Sequence, residues 1–176
     1  MLSKLVDDLY ELSLADVGAL TYRKQPLEVQ EILGHSAAMY QERCHGAGLM
    51  LRVNLAKEPM RVSADPQRLQ QLFGNLLENA VRYTDAGGDI RIEGGIEHEQ
   101  ILLTVSNSGP GVSDEQLAHL FERFYRGDTS RSRASGGAGL GLAICSSIAQ
   151  AHGGTLTAEH SPLGGLKLTL RLPREA

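Results

Sequence analysis

An amphipathic pattern around which the chain is organised runs from Gln71 to Thr84, with Leu69 just before it. Wound as an α-helix at about 100° per residue, this stretch places six apolar side chains on one face: Leu69, Leu72, Phe73, Leu76, Leu77 and Ala80. The opposite face carries Gln71, Asn75, Glu78, Asn79 and Arg82. Asparagine is a weak helix former without charge, so two asparagines one turn apart indicate a face to which a polar group docks. The alternative is an ordinary amphipathic helix whose asparagines have no special function.

A second helical pattern opens the chain, where four leucines recur at steps of three and four residues: Leu2, Leu5, Leu9 and Leu12. This spacing resembles a heptad seam and predicts a helix whose apolar stripe needs a partner helix that the chain does not supply. The alternative is that the helix folds back on the domain. Gly18 then breaks the pattern and Pro26 blocks helix continuation, which predicts a linker. We therefore divide the chain into residues 1–25 and a globular domain of residues 26–176.

The globular part mixes helical and extended patterns. Asp65 followed by Pro66 is a typical helix start with Asp65 as the N-cap, and Ser113 is expected to cap a short helix. Further helices are predicted over residues 30–47 and 141–152. Alternation of apolar and polar residues predicts strands over residues 49–55, 89–96, 100–106, 155–160 and 166–172, and residues 27–29 are compatible with a short strand.

Composition limits the classes of protein to which the chain can belong. Its 176 residues, 41% of them hydrophobic, are enough for one well-buried core. The formal net charge of −4 argues against nucleic acid as a partner. Cys44 and Cys145 lie in unrelated segments, which indicates neither a disulfide framework nor a metal site, and a reducing cytoplasm is expected. No apolar run approaches the roughly 20 residues needed to span a bilayer, so the chain is not expected to insert into a membrane.

Two glycine-rich segments are candidates for ligand contact. The strand over 100–106 runs into residues 107–111 (NSGPG), whose glycines allow a sharp turn and close approach of the backbone to a ligand. Residues 127–137 form a long polar stretch that carries Arg131 and Arg133 and predicts a mobile lid, the alternative being a disordered surface loop. The glycine-rich turn over 136–141 leads directly into a helix, whose free N–H groups and positive dipole end suit a phosphate.

Four segments occur in a specific order: NLLENA over 75–80, NSGPG over 107–111, FERFYR over 121–126 and GAGLGLA over 137–143. In this order they resemble the asparagine box, first glycine box, phenylalanine box and second glycine box of sensor histidine kinases, a resemblance that spans about residues 27–172. It implies an α+β fold of the GHKL (Bergerat) type, a two-layer α/β sandwich whose mixed β-sheet carries helices on one face, with the nucleotide under an ATP lid. It also implies ATP and Mg²⁺ as cofactors.

The resemblance assigns roles to the polar face of the predicted helix over 66–84. Asn79 would coordinate Mg²⁺ through its side-chain oxygen, and Asn75 would support it from one turn earlier. Arg82 would approach the phosphates, and Tyr83 would line the adenine side.

The resemblance also assigns roles to the lid and the glycine turns. Arg126, with Arg131 and Arg133, would neutralise charge on the transferred phosphoryl group. The two glycine boxes would bring backbone and side chains against the nucleotide through Asn107, Gly109, Gly111, Gly137, Gly139, Leu140 and Gly141.

Two departures from the family pattern modify these expectations. Asn107 stands where the family usually has an aspartate that accepts a hydrogen bond from the adenine amino group; an amide accepts without charge and can flip to donate instead. We therefore expect Asn107→Asp to tighten ATP binding. The family's phosphoacceptor motif, HExxTP, is absent from this chain. Residues 1–25 are interpreted as the end of a dimerisation and phosphoacceptor helix followed by a linker, severed from the half that carries the acceptor histidine.

The resemblance implies the catalytic fragment of a histidine protein kinase in a two-component system. It would transfer the γ-phosphoryl group of ATP to a histidine on the dimerisation domain of the same kinase, with a response regulator as the cognate partner, and would be the cytoplasmic domain of an inner-membrane sensor. One alternative, a GHKL-type ATP hydrolase, uses a glutamate at the position of Asn75 to activate water, and an amide cannot act as a general base. The other is a nucleotide-binding module that never turns ATP over.

Overall fold

The computed structural model describes residues 2–127 and 137–176. Within them the helices are α1 (Leu2–Asp16), α2 (Val29–Gly46), α3 (Pro66–Arg82), α4 (Asp114–His119) and α5 (Gly141–Ala151). The strands are β1 (Gln25–Glu28), β2 (Met50–Leu55), β3 (Arg61–Ala64), β4 (Asp89–Glu97), β5 (Gln100–Asn107), β6 (Thr155–His160) and β7 (Leu166–Pro173). The predicted elements are confirmed to within about two residues, and β3 is a strand that the sequence pattern did not predict.

Five strands form one mixed sheet in the order β2-β4-β5-β7-β6. The β2–β4 pair is parallel, with Leu51 opposite Ile90, and the remaining pairs are antiparallel. Strands β1 and β3 form a separate antiparallel ribbon, in which Leu27 lies opposite Val62. Strands β2 and β4 are parallel, so the chain has to cross over the sheet between them. Helix α3 lies in this crossover and packs against the sheet.

The hydrophobic core lies between the sheet and helices α2, α3 and α5; α3 contacts both α2 and α5, and each of the three contacts the strands. Ile90 and Ile92 of β4 are buried, and so are Ile101 and most of the later residues of β5. All six residues of the predicted apolar face of α3 are buried as well. These contacts confirm the expected α+β architecture of a mixed sheet with helices. Among the described helices, none combines the length and the apolar content needed to cross a membrane.

The start of α3 is determined by Asp65. Its carboxylate accepts hydrogen bonds from the backbone N–H groups of Gln67 and Arg68, at 3.0 and 3.3 Å, and from that of Arg23 at 2.9 Å. Burial opposes ionisation of this carboxyl, but the three hydrogen bonds outweigh it and hold the pKa of Asp65 below its ordinary value. The N-cap prediction is confirmed, and the cap also ties the linker to α3.

Helix α1 packs back on the domain. Leu12 is buried, and Leu5 and Leu9 are partly buried against the core, whereas Leu2 is 76% exposed. Glu11 forms a 2.7 Å ion pair with Arg68 and accepts a 3.0 Å hydrogen bond from the amide of Gln71. The inner part of the leucine stripe therefore packs on the domain of this chain, and the assignment of residues 1–25 to the end of a dimerisation helix stays a prediction.

Candidate functional site

A cavity opens where the polar face of α3 meets the loops that flank α4 and the start of α5. Its wall contains most of the residues proposed from the sequence: Asn75, Asn79, Arg82, Tyr83, Asn107, Gly111, Arg126, Gly137, Gly139, Leu140 and Gly141. All of them except Arg82 and Tyr83 lie in the four sequence segments that resemble family motifs, and every segment contributes at least one. The fold thus brings the four segments together at one site.

Three residues proposed from the sequence are not placed in the cavity wall. Gly109 is buried but does not line the cavity; its φ of +113° lets the loop after β5 turn, and a Cβ there would lie 3.1 Å from the Gly111 nitrogen. Arg131 and Arg133 lie outside the described residues, as does most of the predicted lid over 127–137. Their proposed roles stay predictions.

The two asparagines of α3 both face the cavity. Nδ2 of Asn75 donates a 3.5 Å hydrogen bond to the carbonyl oxygen of Gly141, the first residue of α5. Asn79 lies one turn further along and is partly buried. Because the apolar face of α3 is fully packed, the helix cannot rotate, and both amides are held towards the cavity.

Arg126 places an unsatisfied hydrogen-bond donor in the cavity wall. Its Nη2 atom is buried in the cavity wall and has no hydrogen-bond partner among the described residues. A buried guanidinium nitrogen without an acceptor is costly, because it loses water and gains nothing in return. An anionic group in the cavity would supply the acceptor and form a charge-assisted hydrogen bond.

Arg82 is the second cation in the wall, and Glu78 lies beside it. Oε1 of Glu78 is 3.6 Å from Nη2 of Arg82, and Oε2 accepts a 2.6 Å hydrogen bond from Nη1 of Arg43 on α2. The hydrogen bond from Arg43 holds the pKa of Glu78 below its ordinary value, against the effect of burial. One carboxylate is therefore shared by two arginines, and Arg82 keeps positive charge that an anion can use.

The turn before α5 depends on glycines at two positions. A Cβ on Gly137 would overlap the guanidinium of Arg82, so the absence of a side chain lets the backbone reach that arginine. Gly139 has φ of +74°, and its carbonyl oxygen accepts a 3.0 Å hydrogen bond from the backbone of Phe124. Helix α5 then begins at Gly141 with no side-chain cap within the described residues, which leaves its first N–H groups to a ligand.

Asn107 provides a buried polar group in the cavity wall. The residue is 4% exposed. Its Oδ1 accepts a 2.7 Å hydrogen bond from the backbone N–H of Leu166, and its Nδ2 donates at 2.9 Å to Oγ1 of Thr84. Leu166 itself, Val112 and Leu120 contribute apolar surface to the same wall. The cavity wall thus combines the guanidinium groups of Arg82 and Arg126 and a helix N-terminus with a buried amide and apolar side chains.

A contribution from α1 to the cavity was not predicted from the sequence. Lys4 and Asp8 line the cavity, and burial raises the pKa of Asp8 although Lys4 opposes the shift. No signal in the sequence places them there, because the pattern of α1 assigns it to a different domain. Glu78 also lines the cavity. It could have been proposed as a site residue from the sequence, because it lies on the same polar face of α3 as Asn75 and Asn79.

A family model described as "Histidine kinase-, DNA gyrase B-, and HSP90-like ATPase" matches residues 64–176. This range holds the whole cavity wall apart from Lys4 and Asp8. Among characterised proteins, the chain is 51% identical to the signal transduction histidine-protein kinase BaeS of Escherichia coli (strain K12), over 99% of this chain and 37% of that protein. It is 34% identical to the sensor protein KdpD of the same organism, over 98% of this chain and 19% of that protein. The chain therefore spans well under half the length of either relative.

Solved structures of histidine kinases have the same architecture. The Acinetobacter baumannii histidine kinase AdeS superposes with a TM-score of 0.80 at 25% identity, covering 99% of this chain and 79% of that one. Full-length ShkA, solved in complex with AMPPNP, gives a TM-score of 0.85 at 26% identity, covering 99% of this chain and 36% of that one. The catalytic domain of histidine kinase ThkA gives 0.77 at 25% identity, covering 86% and 96%. These similarities bear out the expected fold.

Proposed function

The chain belongs to the family of histidine kinase-, DNA gyrase B- and HSP90-like ATPases, and from this premise we propose that it binds Mg²⁺-ATP and transfers the γ-phosphoryl group to a histidine on a separate domain. The observation that carries the proposal is the buried, unpartnered Nη2 of Arg126 in a wall that also holds Asn79 and the uncapped start of α5. A triphosphate is the ligand that suits all three.

Arg126 is assigned to the transferred phosphoryl group. In phosphoryl transfer the acceptor nitrogen forms the new P–N bond while the bond to the bridging oxygen of ADP breaks, and the protein contributes mainly positioning and charge stabilisation. A guanidinium that is already desolvated and oriented stabilises such charge without reorganisation. Arg82 and the N–H groups at the start of α5 are assigned to the other phosphates.

Asn79 is the proposed ligand of Mg²⁺. An amide oxygen is a hard donor, and Mg²⁺ is usually bound by one or two protein oxygens together with phosphates and water. Within the described residues no group of three or more His, Cys, Asp or Glu side chains could hold a metal alone, which agrees with an ion that arrives with the nucleotide. The ion would neutralise charge on the triphosphate when bound.

Phosphotransfer is favoured over hydrolysis by the side chains at the asparagine face of α3. A hydrolase needs a general base near the γ-phosphate, and Asn75 cannot accept a proton. The neighbouring carboxylate, Glu78, is paired with Arg43, which lowers its pKa and makes it a weak base. The printed names of the relatives, a signal transduction histidine-protein kinase and sensor proteins, support the same choice.

The proposed phosphoacceptor is the dimerisation domain of the same kinase, with a cognate response regulator as the next partner. Residues 1–25 are proposed to be the end of that domain's helix and the linker to the catalytic domain, in the cytoplasmic part of an inner-membrane sensor. The leucine pattern of α1 and the lengths of BaeS and KdpD beyond the matched region support this assignment.

The test supplies the chain with Mg²⁺, γ-labelled ATP and a separately produced helical hairpin that carries the acceptor histidine of the same kinase. We expect acid-labile label on the hairpin, and we expect Asn79→Ala to reduce it by about 100-fold or more. The matched control is Gln71→Ala, which removes an amide from the same face of α3 outside the cavity wall and should retain the activity. Label found only as free phosphate would identify a hydrolase instead, and bound ATP that is never turned over would identify a nucleotide-binding module.

A further inference from the structure

Helix α2 supplies two side chains that hold the carboxylate of Glu78 on α3. Nη1 of Arg43 donates to Oε2 of Glu78 at 2.6 Å and Nη2 donates to Oε1 at 3.3 Å, so the guanidinium engages both carboxylate oxygens. The hydroxyl of Tyr40 lies 3.2 Å from the same Oε2, and the Arg43 guanidinium lies over the Tyr40 ring, 5.0 Å from its centroid. Both oxygens of Glu78 therefore have partners on α2.

Arg82 approaches the same carboxylate without forming a close pair with it. Its Nη2 lies 3.6 Å from Oε1 of Glu78, which is longer than a hydrogen bond. The two residues are four positions apart on α3 with the glutamate first, which is the favourable order for an ion pair along a helix. A closer pair would require the carboxylate to leave Arg43, since both of its oxygens are engaged there. The two arginines therefore compete for one carboxylate.

The two arginines differ in their relation to the cavity. Glu78 and Arg82 line it, whereas the described part of its wall contains no residue of α2. Arg43 also lies outside residues 64–176, the range that the family model matches. Its side chain is 53% exposed, and that of Arg82 is 23% exposed. A ligand in the cavity would therefore meet Arg82 and Glu78 directly, and Arg43 only through Glu78.

The competition for Glu78 sets the positive charge that Arg82 offers to an anion. Without Arg43, the ionised carboxylate would close the 3.6 Å gap to Arg82, and a phosphate group would have to displace it. With Arg43 in place, the carboxylate stays on α2 and that displacement is not needed. Resting on the proposed function, we propose that Arg43 is a positioning residue for nucleotide binding: by holding Glu78, it leaves the guanidinium of Arg82 to the phosphates of ATP.

The experiment is a double-mutant cycle on the dissociation constant of ATP, measured by titration calorimetry on the full chain with Mg²⁺. We expect Arg43→Met to weaken ATP binding by about two- to five-fold, the range for one partly exposed ion pair. Glu78→Gln should tighten binding, because the competing charge is removed. In the Glu78→Gln background, Arg43→Met should have no effect, since no carboxylate is left for Arg43 to hold. An Arg82→Met background should also abolish the effect, because the competing guanidinium is gone.

The control is Arg52→Met, which removes a similarly exposed arginine from β2, 3.8 Å from Asp89, and should leave ATP binding unchanged. An equal weakening by Arg43→Met with and without Glu78 would show a long-range effect of charge and overturn the inference, as would no weakening at all. If Arg43→Met does not fold, Arg43→Gln takes its place in the cycle.

The unmodified chain separates this inference from the function on which it rests. If it binds ATP and the cycle shows no coupling between Arg43 and Glu78, the inference fails and the kinase proposal stands. If it does not bind ATP, the kinase proposal and the inference fail together.

Discussion

Gly139 shows how a single residue without a side chain joins two parts of the site. Its backbone adopts φ of +74°, a conformation that other residues rarely adopt. A Cβ at this position would lie 2.7 Å from the carbonyl oxygen of Tyr125 and 2.9 Å from the carbonyl carbon of Phe124. Because both are backbone atoms, this overlap could be relieved only if the segment that carries Arg126 moved. The turn before α5 and the arginine are therefore positioned together.

We expect Gly139→Ala to lower the free energy of unfolding by about 1–3 kcal/mol, through backbone strain and displacement of the neighbouring segment. Urea unfolding followed by circular dichroism measures the change. Gly74→Ala is the matched control, since Gly74 lies within α3 and an added Cβ there would meet no atom of another element within 4 Å, so alanine should stabilise the helix by about 0.5–1 kcal/mol. Equal stabilities of the two variants would contradict the assignment.

At the scale of elements, His152 joins the end of α5 to the start of α3. Its Nδ1 lies 2.7 Å from the carbonyl of Ile148, and its Nε2 accepts a 3.0 Å hydrogen bond from the backbone N–H of Asp65. The ring is buried and meets Tyr22 edge-on, with centroids 5.5 Å apart. Since Nε2 must accept, the ring is neutral with its proton on Nδ1. Burial lowers the pKa of His152, and the charge of Lys24 acts in the same direction.

This arrangement predicts that acid weakens the fold at mildly low pH. The folded-state pKa of His152 lies below its ordinary value of 6.5, so the unfolded chain takes up the proton first as the pH falls. The neutral histidine therefore contributes stability above pH 6.5 that is lost progressively below it. We expect the urea midpoint to decrease between pH 7.5 and 5.5, and His152→Gln, which retains an acceptor, to reduce that decrease. The control is His35→Gln, which replaces an exposed histidine on α2 and should leave the pH dependence unchanged.

At the scale of the whole molecule, α1 and the domain share the cavity. Leu12 is 2% exposed, and Asp16 pairs with Arg123 at 2.5 Å, close in sequence to Arg126. Lys4 and Asp8 of the same helix line the cavity wall. The charge in the cavity therefore includes side chains of α1, and a movement of α1 would alter it.

Asp8 places negative charge in a cavity proposed to bind a polyanion. We expect Asp8→Asn to tighten ATP binding by about two- to five-fold at low salt, because Coulomb repulsion is removed, and by less at about 0.5 M salt, because exposed charges are screened. Titration calorimetry at the two salt concentrations measures both effects. Asp7→Asn removes the same charge from the exposed neighbouring position and should have little effect. A salt-independent change, or an equal change in both variants, would show that repulsion in the cavity is not the cause.

The amino-acid sequence by itself determined most of the helices and strands and most of the residues that line the cavity. Helix periodicity, the Asp65–Pro66 cap and the alternation of β4 and β5 depend on residues only a few positions apart, so they can be read from local pattern. The asparagine face of α3 could be recognised because the apolar residues identify the buried face of the helix, and the asparagines lie on the opposite face. The resemblance of four ordered segments then supplied the family, which the comparisons confirm.

Only the tertiary structure decided how distant segments contact one another. Strand β3 is four residues long, and its pairing with β1 joins residues more than thirty positions apart, for example Leu27 and Val62. Leu12, together with the partly buried Leu5 and Leu9, packs on the core of the domain, and Glu11 of the same helix pairs with Arg68. The orientation of the Asn107 amide depends on Leu166, 59 residues away. Such contacts involve side chains and backbone groups that no local pattern connects, so the fold had to be known before they could be found.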